Sequence, residues 1–331
     1  IVACVDSYNL DFKNSSTYMI SFPTTIFDMF NLLNYIKIYF QIRKLVNKNQ
    51  LGIFYLHTPL ASHIFRLFNY FKNLNIIYFV HGFRFTPTSN FIKNMIFITI
   101  EKILSHKTNI FITINNHDYN YAKLKLVKKN LCYKICGVGV ILSANKDINN
   151  TIIKKTVKKI LVIAAYKKDK GYSEILKVAE SLKDHDIKIE CFGYGKFNKY
   201  EKIKIKRSLK NISFNSFDSD LKNKIKNFDV LLHLSKREGL PVSIIESLSQ
   251  GLPVICYNIR GNNDLIKNKI NGYFVKSYKE VPKKILYLKL KESIYHNMSL
   301  EAYKTINENF SNKNINLKTL EIIEKYNQSL L

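Results

Sequence analysis

Short apolar runs alternate with longer stretches whose apolar residues recur every three or four positions, and the pattern occurs twice in this chain of 331 residues. In the first half, IVACV (Ile1 to Val5), GIFYLH (Gly52 to His57), IIYFVHG (Ile76 to Gly82) and IFITIN (Ile110 to Asn115) have the length and β-branched content of buried strands. Between them Phe27 to Val46, Pro59 to Lys72 and Phe91 to His106 carry helical spacing. The second half repeats the order with ILVIAAY (Ile160 to Tyr166), a helix over Tyr172 to Leu182, IKIECFGYG (Ile187 to Gly195) and FDVLLHLS (Phe228 to Ser235). A helix from Pro241, PVICY (Pro253 to Tyr257) and a short helix near Asn263 complete it. Parallel strands need long crossovers, so this alternation predicts parallel sheets wrapped by helices, two doubly wound Rossmann-like α/β domains. A chain of this length can give each domain its own core. SANKDINNTIIKKTVKK (Ser143 to Lys159) is polar and turn-rich and reads as the linker, which puts the domains at 1–148 and 149–331.

Composition narrows the function classes. The formal charge of +27 invites nucleic acid, an anionic membrane or a phosphorylated substrate as partner. Residues 1–150 carry 17 basic against 6 acidic side chains and the remainder 35 against 19, so no dense basic block stands out. The 21 Tyr and 22 Phe fall mostly within apolar patterns and not in basic loops, which argues against stacking on nucleic acid. The 5 Cys include no C-x-x-C pair and predict neither a disulfide framework nor a metal centre. The chain opens on IVACV without a basic leader or a Met and is read as a fragment; no run is long and uninterrupted enough to span a membrane.

In doubly wound sheets ligands bind beyond the carboxyl ends of the strands. REGLPVSIIESLSQGLPVI (Arg237 to Ile255) lies at such an end and concentrates Gly and Pro in a chain with only 11 and 6 of them. A proline suits the start of a helix, where its missing N–H is no loss, so Pro241 is placed in the first helical turn. The backbone N–H groups of Gly239 and Leu240, with the positive end of the helix dipole, form a candidate anion site. Glu246 follows about a turn and a half along, within reach of hydroxyls on a bound sugar or ribose.

The stretch from Glu238 to Glu246, followed by SLSQGLP, resembles the glutamate-pair signature of retaining glycosyltransferases of family 4, which have the two-domain GT-B fold with sheets facing across a cleft. IRGNNDLI (Ile259 to Ile266) and NGYFV (Asn271 to Val275) resemble the segments that follow it. HTPLAS (His57 to Ser62), VHGFRF (Val80 to Phe85), IEKILS (Ile100 to Ser105) and ITINNHDYNYAK (Ile112 to Lys123) resemble the subgroup that builds capsule, exopolysaccharide and lipid-linked oligosaccharide. The resemblance implies that Glu238 contacts the transferred sugar, Glu246 the ribose, and Gly239 and Leu240 the sugar or diphosphate. It also implies that His81 approaches the donor sugar from the first domain, with His57 a weaker candidate, and that Gly193 lets the backbone approach the nucleotide. The family's G-R-x-x-x-x-K-G pattern is altered here. Lys170 matches the lysine, but Ala165 stands in place of the arginine, and Arg237 is the expected substitute ahead of Lys168. The family pattern further implies a first strand and glycine-containing turn ahead of IVACV, missing here, and a last helix that crosses back to the first domain.

The implied reaction transfers a sugar, with UDP-sugar as the expected donor, to a polysaccharide-precursor or undecaprenyl-linked acceptor with retention. No cofactor or metal is expected, because Asp218-Ser219-Asp220 falls in a surface-like segment, and no nucleic acid partner is expected. A cytoplasmic chain at the inner face of the membrane follows from such an acceptor, and Phe27 to Lys48 is the expected interfacial helix. A sugar-nucleotide epimerase of the same fold and a nucleic-acid-binding protein are the competing readings.

Overall fold

The computed structural model describes residues 2–4, 17–19, 36–37, 40–41, 43–44, 53–57, 59–69, 74–86, 89–127, 131–137 and 156–328. The expected interfacial helix and most of the expected linker lie largely outside these residues. The chain divides into two compact units, Ile1–Ile112 with Ala122–Cys132, and Thr113–Tyr121 with Tyr133–Leu331.

The fold is α/β with parallel sheets. In chain order the first elements are β1 (Val2–Cys4), β2 (Thr17–Met19), β3 (Ile53–His57), α1 (Pro59–Phe68), β4 (Asn75–Val80), α2 (Phe91–Ser105), β5 (Ile110–Thr113), α3 (Asn116–Lys125) and β6 (Cys132–Lys134). Strands β1 and β2 pair with each other, and a four-stranded sheet runs β3-β4-β5-β6. Strand β4 is buried from Ile76 to Val80 and β5 throughout, which is why both read as unbroken apolar runs.

The second sheet uses β7 (Lys159–Ile163), β8 (Lys188–Phe192), β9 (Ile212–Asn215), β10 (Val230–His233), β11 (Val254–Tyr257) and β12 (Gly272–Val275). Its order is β12-β11-β10-β7-β8-β9, with every neighbouring pair parallel. Numbered from β7, this is the order of a dinucleotide-binding doubly wound sheet, and its direction of winding reverses between β7 and β10. The connecting helices are α4 (Tyr172–Ser181), α5 (Asn198–Lys206), α6 (Leu221–Lys224), α7 (Val242–Ser249) and α8 (Asn262–Leu265), and α9 (Val281–Leu290), α10 (Glu292–Asn309) and α11 (Asn312–Gln328) close the chain. Helix α4 shows why these segments are helical. Tyr172, Ile175, Leu176 and Ala179 share one buried face while Ser173, Lys177 and Glu180 are exposed.

Strands β2, β6, β9 and β12 escaped the sequence reading. β9 alternates buried and half-buried residues and contains only two apolar side chains; β2 and β6 have three residues each, and none in β6 is buried. The helix after the EGLP turn begins at Val242, with Pro241 as its N-cap at ψ 113°, so the proline precedes the first turn.

Inside the first unit, α1 and α2 are joined by a buried ionic cluster. Glu101 is 1% exposed and accepts from Arg66 Nη2 at 2.7 Å, while His63 Nε2 lies 2.7 Å from its other oxygen. Burial would raise the Glu101 carboxyl, but the Arg66 charge and the His63 hydrogen bond outweigh it and hold it below the ordinary carboxylate value. A lowered carboxylate contributes stability above its unfolded value, and that stability is lost as pH falls through the folded value. Arg66→Met should therefore lower stability by about 3 kcal/mol, because it strips a buried carboxylate of its main partner. Denaturant unfolding is the measurement, and the double variant Arg66→Met/Glu101→Leu should recover much of the loss.

Candidate active site

The loops that leave β7 and β10 lie side by side at the point where the sheet reverses. The backbone of Lys236 donates to the Asp169 carbonyl at 2.8 Å, which fastens one loop to the other. Gly171 makes this approach possible. It has φ 77°, and a Cβ there would collide with the Leu234 carbonyl oxygen. At the next loop inward, a Cβ on Gly193 would collide with the Ala164 carbonyl, so chain packing alone demands a glycine there.

These loops bring together Lys170 and Glu238, which the sequence reading had identified 68 positions apart. Lys170 Nζ donates to Glu238 Oε1 at 2.6 Å, with side chains 19% and 16% exposed. His233, the last residue of β10 and 3% exposed, places Nε2 3.3 Å from the same oxygen, but its orientation makes no hydrogen bond. Burial alone would raise Glu238; His233 and Lys170 outweigh it and hold the carboxyl at about 2. Glu238 is thus ionised throughout the physiological range and can act only as an acceptor. Among the described residues its Oε2 has no hydrogen-bond partner.

After Glu238 the chain turns into α7. Among the described residues, the backbone N–H groups of Gly239, Leu240, Val242 and Ser243 make no hydrogen bond. Unsatisfied N–H groups at a helix start are anion ligands. Glu246, half-buried on α7, makes no side-chain hydrogen bond or ion pair among the described residues, and burial raises its carboxyl, with Lys222 opposing. Ser235 Oγ, in a residue 1% exposed just past β10, also lacks a partner among them. Arg237 and Lys168 are exposed, and the Arg237 carbonyl receives Lys170 Nζ at 3.5 Å. Ala165 is half-buried and followed by Tyr166, whose hydroxyl donates to the Asn215 carbonyl at 2.6 Å, lies 3.0 Å from the Cys191 carbonyl and accepts from Asn215 N at 3.0 Å, tying β8 to β9. Asp218 and Asp220, the D-x-D letters, are both engaged by Lys224 at 2.7 and 3.5 Å.

In the first unit, His57 Nδ1 and His81 Nε2 are 2.9 Å apart, so one ring donates and the other accepts. Burial lowers both, and for His57 the neighbouring His81 adds to it. The pair is neutral at pH 7.

The sequence reading missed the polar frame that holds the EGLP turn. Asp118 and Asn115 are fully buried, and Arg260 has a side chain 6% exposed. Arg260 donates from Nη1 to Asp118 Oδ1 at 3.1 Å and from Nε to the Glu238 carbonyl at 2.9 Å. Asn115 donates to Asp118 Oδ2 at 2.8 Å and to the Gly239 carbonyl at 3.1 Å, and Asn116 N donates to Asp264 at 2.7 Å. Asp118 thus orients both groups that grip the turn. These residues lie in ITINNHDYNYAK and IRGNNDLI, and the pairing of a buried Asp with a distant Arg was the available signal. A cavity of about 700 Å³ lies elsewhere, lined by Tyr273, Lys284, Tyr287 and Met298 among others.

Parallel sheets with this winding and site define an α/β protein of the GT-B type. Residues 143–305 match the family described as glycosyl transferases group 1. The chain is 26% identical to the putative glycosyltransferase EpsD of Bacillus subtilis (strain 168) over 255 residues, 72% of this chain and 67% of that protein. It is 24% identical to the UDP-Gal:alpha-D-GlcNAc-diphosphoundecaprenol alpha-1,3-galactosyltransferase of Escherichia coli over 77% of this chain and 70% of that protein. The crystal structure of S. aureus TarM superposes with a TM-score of 0.71 at 21% identity, over 87% of this chain but only 58% of TarM.

Asp118→Asn keeps the shape of the frame and removes its charge from a buried guanidinium. It should cost about 3 kcal/mol of stability in denaturant unfolding, whereas a surface carboxylate such as Asp184→Asn should cost under about 0.5 kcal/mol.

Proposed function

We propose that the chain is a retaining glycosyltransferase that moves a sugar from a nucleotide diphosphate sugar, UDP-sugar in the first instance, to a polysaccharide-precursor or lipid-linked glycan. The observation that carries this reading is the Lys170–Glu238 pair at the reversal of the sheet, next to the unbonded N–H groups of the turn into α7. The group 1 domain match supports the reaction class, and the donor and acceptor in the name of the E. coli relative support the substrate class.

In this reading the C1–O bond to the departing diphosphate breaks and a C1–O bond to the acceptor hydroxyl forms on the same face. The acceptor proton passes to the departing phosphate oxygen. The N–H groups of Gly239, Leu240 and α7 receive the diphosphate charge as it grows, and Lys170 and Arg237 supply cations, with no metal. Glu238 Oε2 accepts from a sugar hydroxyl, Glu246 accepts from the ribose, and Gly193 lies along the nucleotide. His81, neutral and hydrogen-bonded to His57, can offer a hydrogen bond to a sugar hydroxyl. A lipid-linked acceptor places the work at the inner face of the cytoplasmic membrane. Incubation of the full chain with UDP-sugars and a short-chain polyprenyl diphosphate sugar tests the reading. An α-linked product from an α-donor supports it, isomerised nucleotide sugar without acceptor transfers the site to epimerase chemistry, and neither product defeats it.

The Glu246 carboxylate has two measurable consequences. Glu246→Ala should weaken UDP binding by roughly tenfold, the equivalent of one charge-assisted hydrogen bond of about 1.5 kcal/mol, as measured by calorimetry. Because Glu246 is raised and binds the ribose in its ionised form, UDP affinity should already fall on acidification above the ordinary carboxylate value of about 4.3, and Glu246→Gln should flatten that dependence.

A further inference from the structure

Helix α2 carries apolar residues over most of its circumference, with Glu101, Asn94 and Ser105 filling the remaining arc, and its buried positions are Glu101 and Leu104. Phe97 is half-buried. At about 100° per residue, Phe91, Lys102, Met95, Thr99, Ile92, Ile103 and Ile96 fall within a single arc of roughly 140°. All seven are exposed: Phe91 by 79%, and Ile92, Met95, Ile96 and Ile103 by half or more. So wide an apolar surface on a helix is ordinarily enclosed by protein, and among the described residues this arc is exposed.

Its charges point to what the open face meets. Between Phe91 and Lys107 the cations are Lys93, Lys102 and Lys107, and the one acidic residue, Glu101, is turned inward onto Arg66 and His63. Lys102 is exposed within this face between Phe91 and Met95, and Lys93 is exposed beyond Ile96, so apart from Thr99 the exposed residues of the helix are apolar or basic. A protein partner with an apolar surface would leave these cations without a counterpart, whereas an anionic bilayer answers both features at once. The helix has 15 residues, about 22 Å, too short to span a bilayer but long enough to lie in its surface. Asn90 fixes where it starts by accepting from the N–H groups of Ile92 and Lys93, which leaves Phe91 projecting at the tip.

We propose that the exposed face of α2 is a membrane-docking surface, seated in the interface of an anionic bilayer with Phe91, Ile92, Met95, Ile96 and Ile103 among the acyl chains and Lys93 and Lys102 at the headgroups. The proposal deepens the reading of a lipid-linked acceptor, because it names the part of the molecule that meets the lipid.

The test is flotation of the full chain, without sugar donor, on phosphatidylglycerol/phosphatidylethanolamine vesicles and on phosphatidylcholine vesicles. Binding should favour the anionic vesicles and weaken with salt. Ile92→Glu/Ile96→Glu should reduce it at least tenfold, and Lys102→Glu severalfold, with unchanged circular dichroism and UDP affinity. Equal binding to both vesicle types, no binding, or binding that survives Ile92→Glu/Ile96→Glu would each overturn the proposal. So would a concentration-dependent dimer in ultracentrifugation that the same variant abolishes, since the face would then belong to a second copy. Transfer to a water-soluble acceptor, assayed separately, reports on the proposed function alone: a variant that transfers normally in solution but no longer floats isolates the docking surface from the chemistry.

Discussion

The site depends on one close approach, that of Gly171 to the Leu234 carbonyl. Strands β7 and β10 are neighbours in the sheet although 66 residues of chain separate Ile163 from Val230, and their loops diverge in a doubly wound sheet unless something holds them. The missing side chain at Gly171, with the Lys236 to Asp169 hydrogen bond beside it, keeps the two loops in contact. Lys170 and Lys236 then have fixed starting points, one on each loop. The short Lys170–Glu238 pair follows, because an ammonium on a four-carbon stem gains little from an ion pair unless its backbone is already placed.

Much of this was legible in the sequence because it is written in local patterns. Apolar runs such as VLLH and VICY are buried on both faces and admit few other readings, and EGLP marks a helix start at the end of such a run. What was not legible depends on distance or on weak patterning. His233 sits in a strand otherwise apolar, and nothing nearby reveals that its ring meets a carboxylate at 3.3 Å. Edge strand β9 has too few apolar residues to separate it from a loop. Pro241 was placed one residue too far along because a proline at an N-cap and one in the first turn leave the same mark in sequence.

The frame around Asp118 shows a further limit. Buried charges seldom add net stability over apolar replacements, yet Asp118, Arg260 and Asn115 are almost wholly enclosed. Their hydrogen bonds end on the carbonyls of Glu238 and Gly239, the two peptide units from which the turn into α7 departs. A polar frame constrains direction as well as distance, which apolar packing does not, so it fits a turn whose N–H groups must face one way. Sequence alone could place Asp118 on a helix and Arg260 after a strand, but only the fold shows that they share a task.

The electrostatics of the site also follow from this geometry and not from the net charge of +27. Lys170 is matched by Glu238, and Lys236 by Glu174 at 3.2 Å, so two of the cations beside the turn are already compensated. Ala165 contributes none. The positive character left at the turn comes from backbone N–H groups and from exposed Arg237 and Lys168. Backbone dipoles are fixed before any anion arrives and need no reorganisation, whereas long exposed side chains must be ordered on each binding event. A diphosphate group on this turn would therefore be held first by the chain itself, and the missing arginine at position 165 would cost less than the loss of a fixed N–H donor at Gly239 or Leu240.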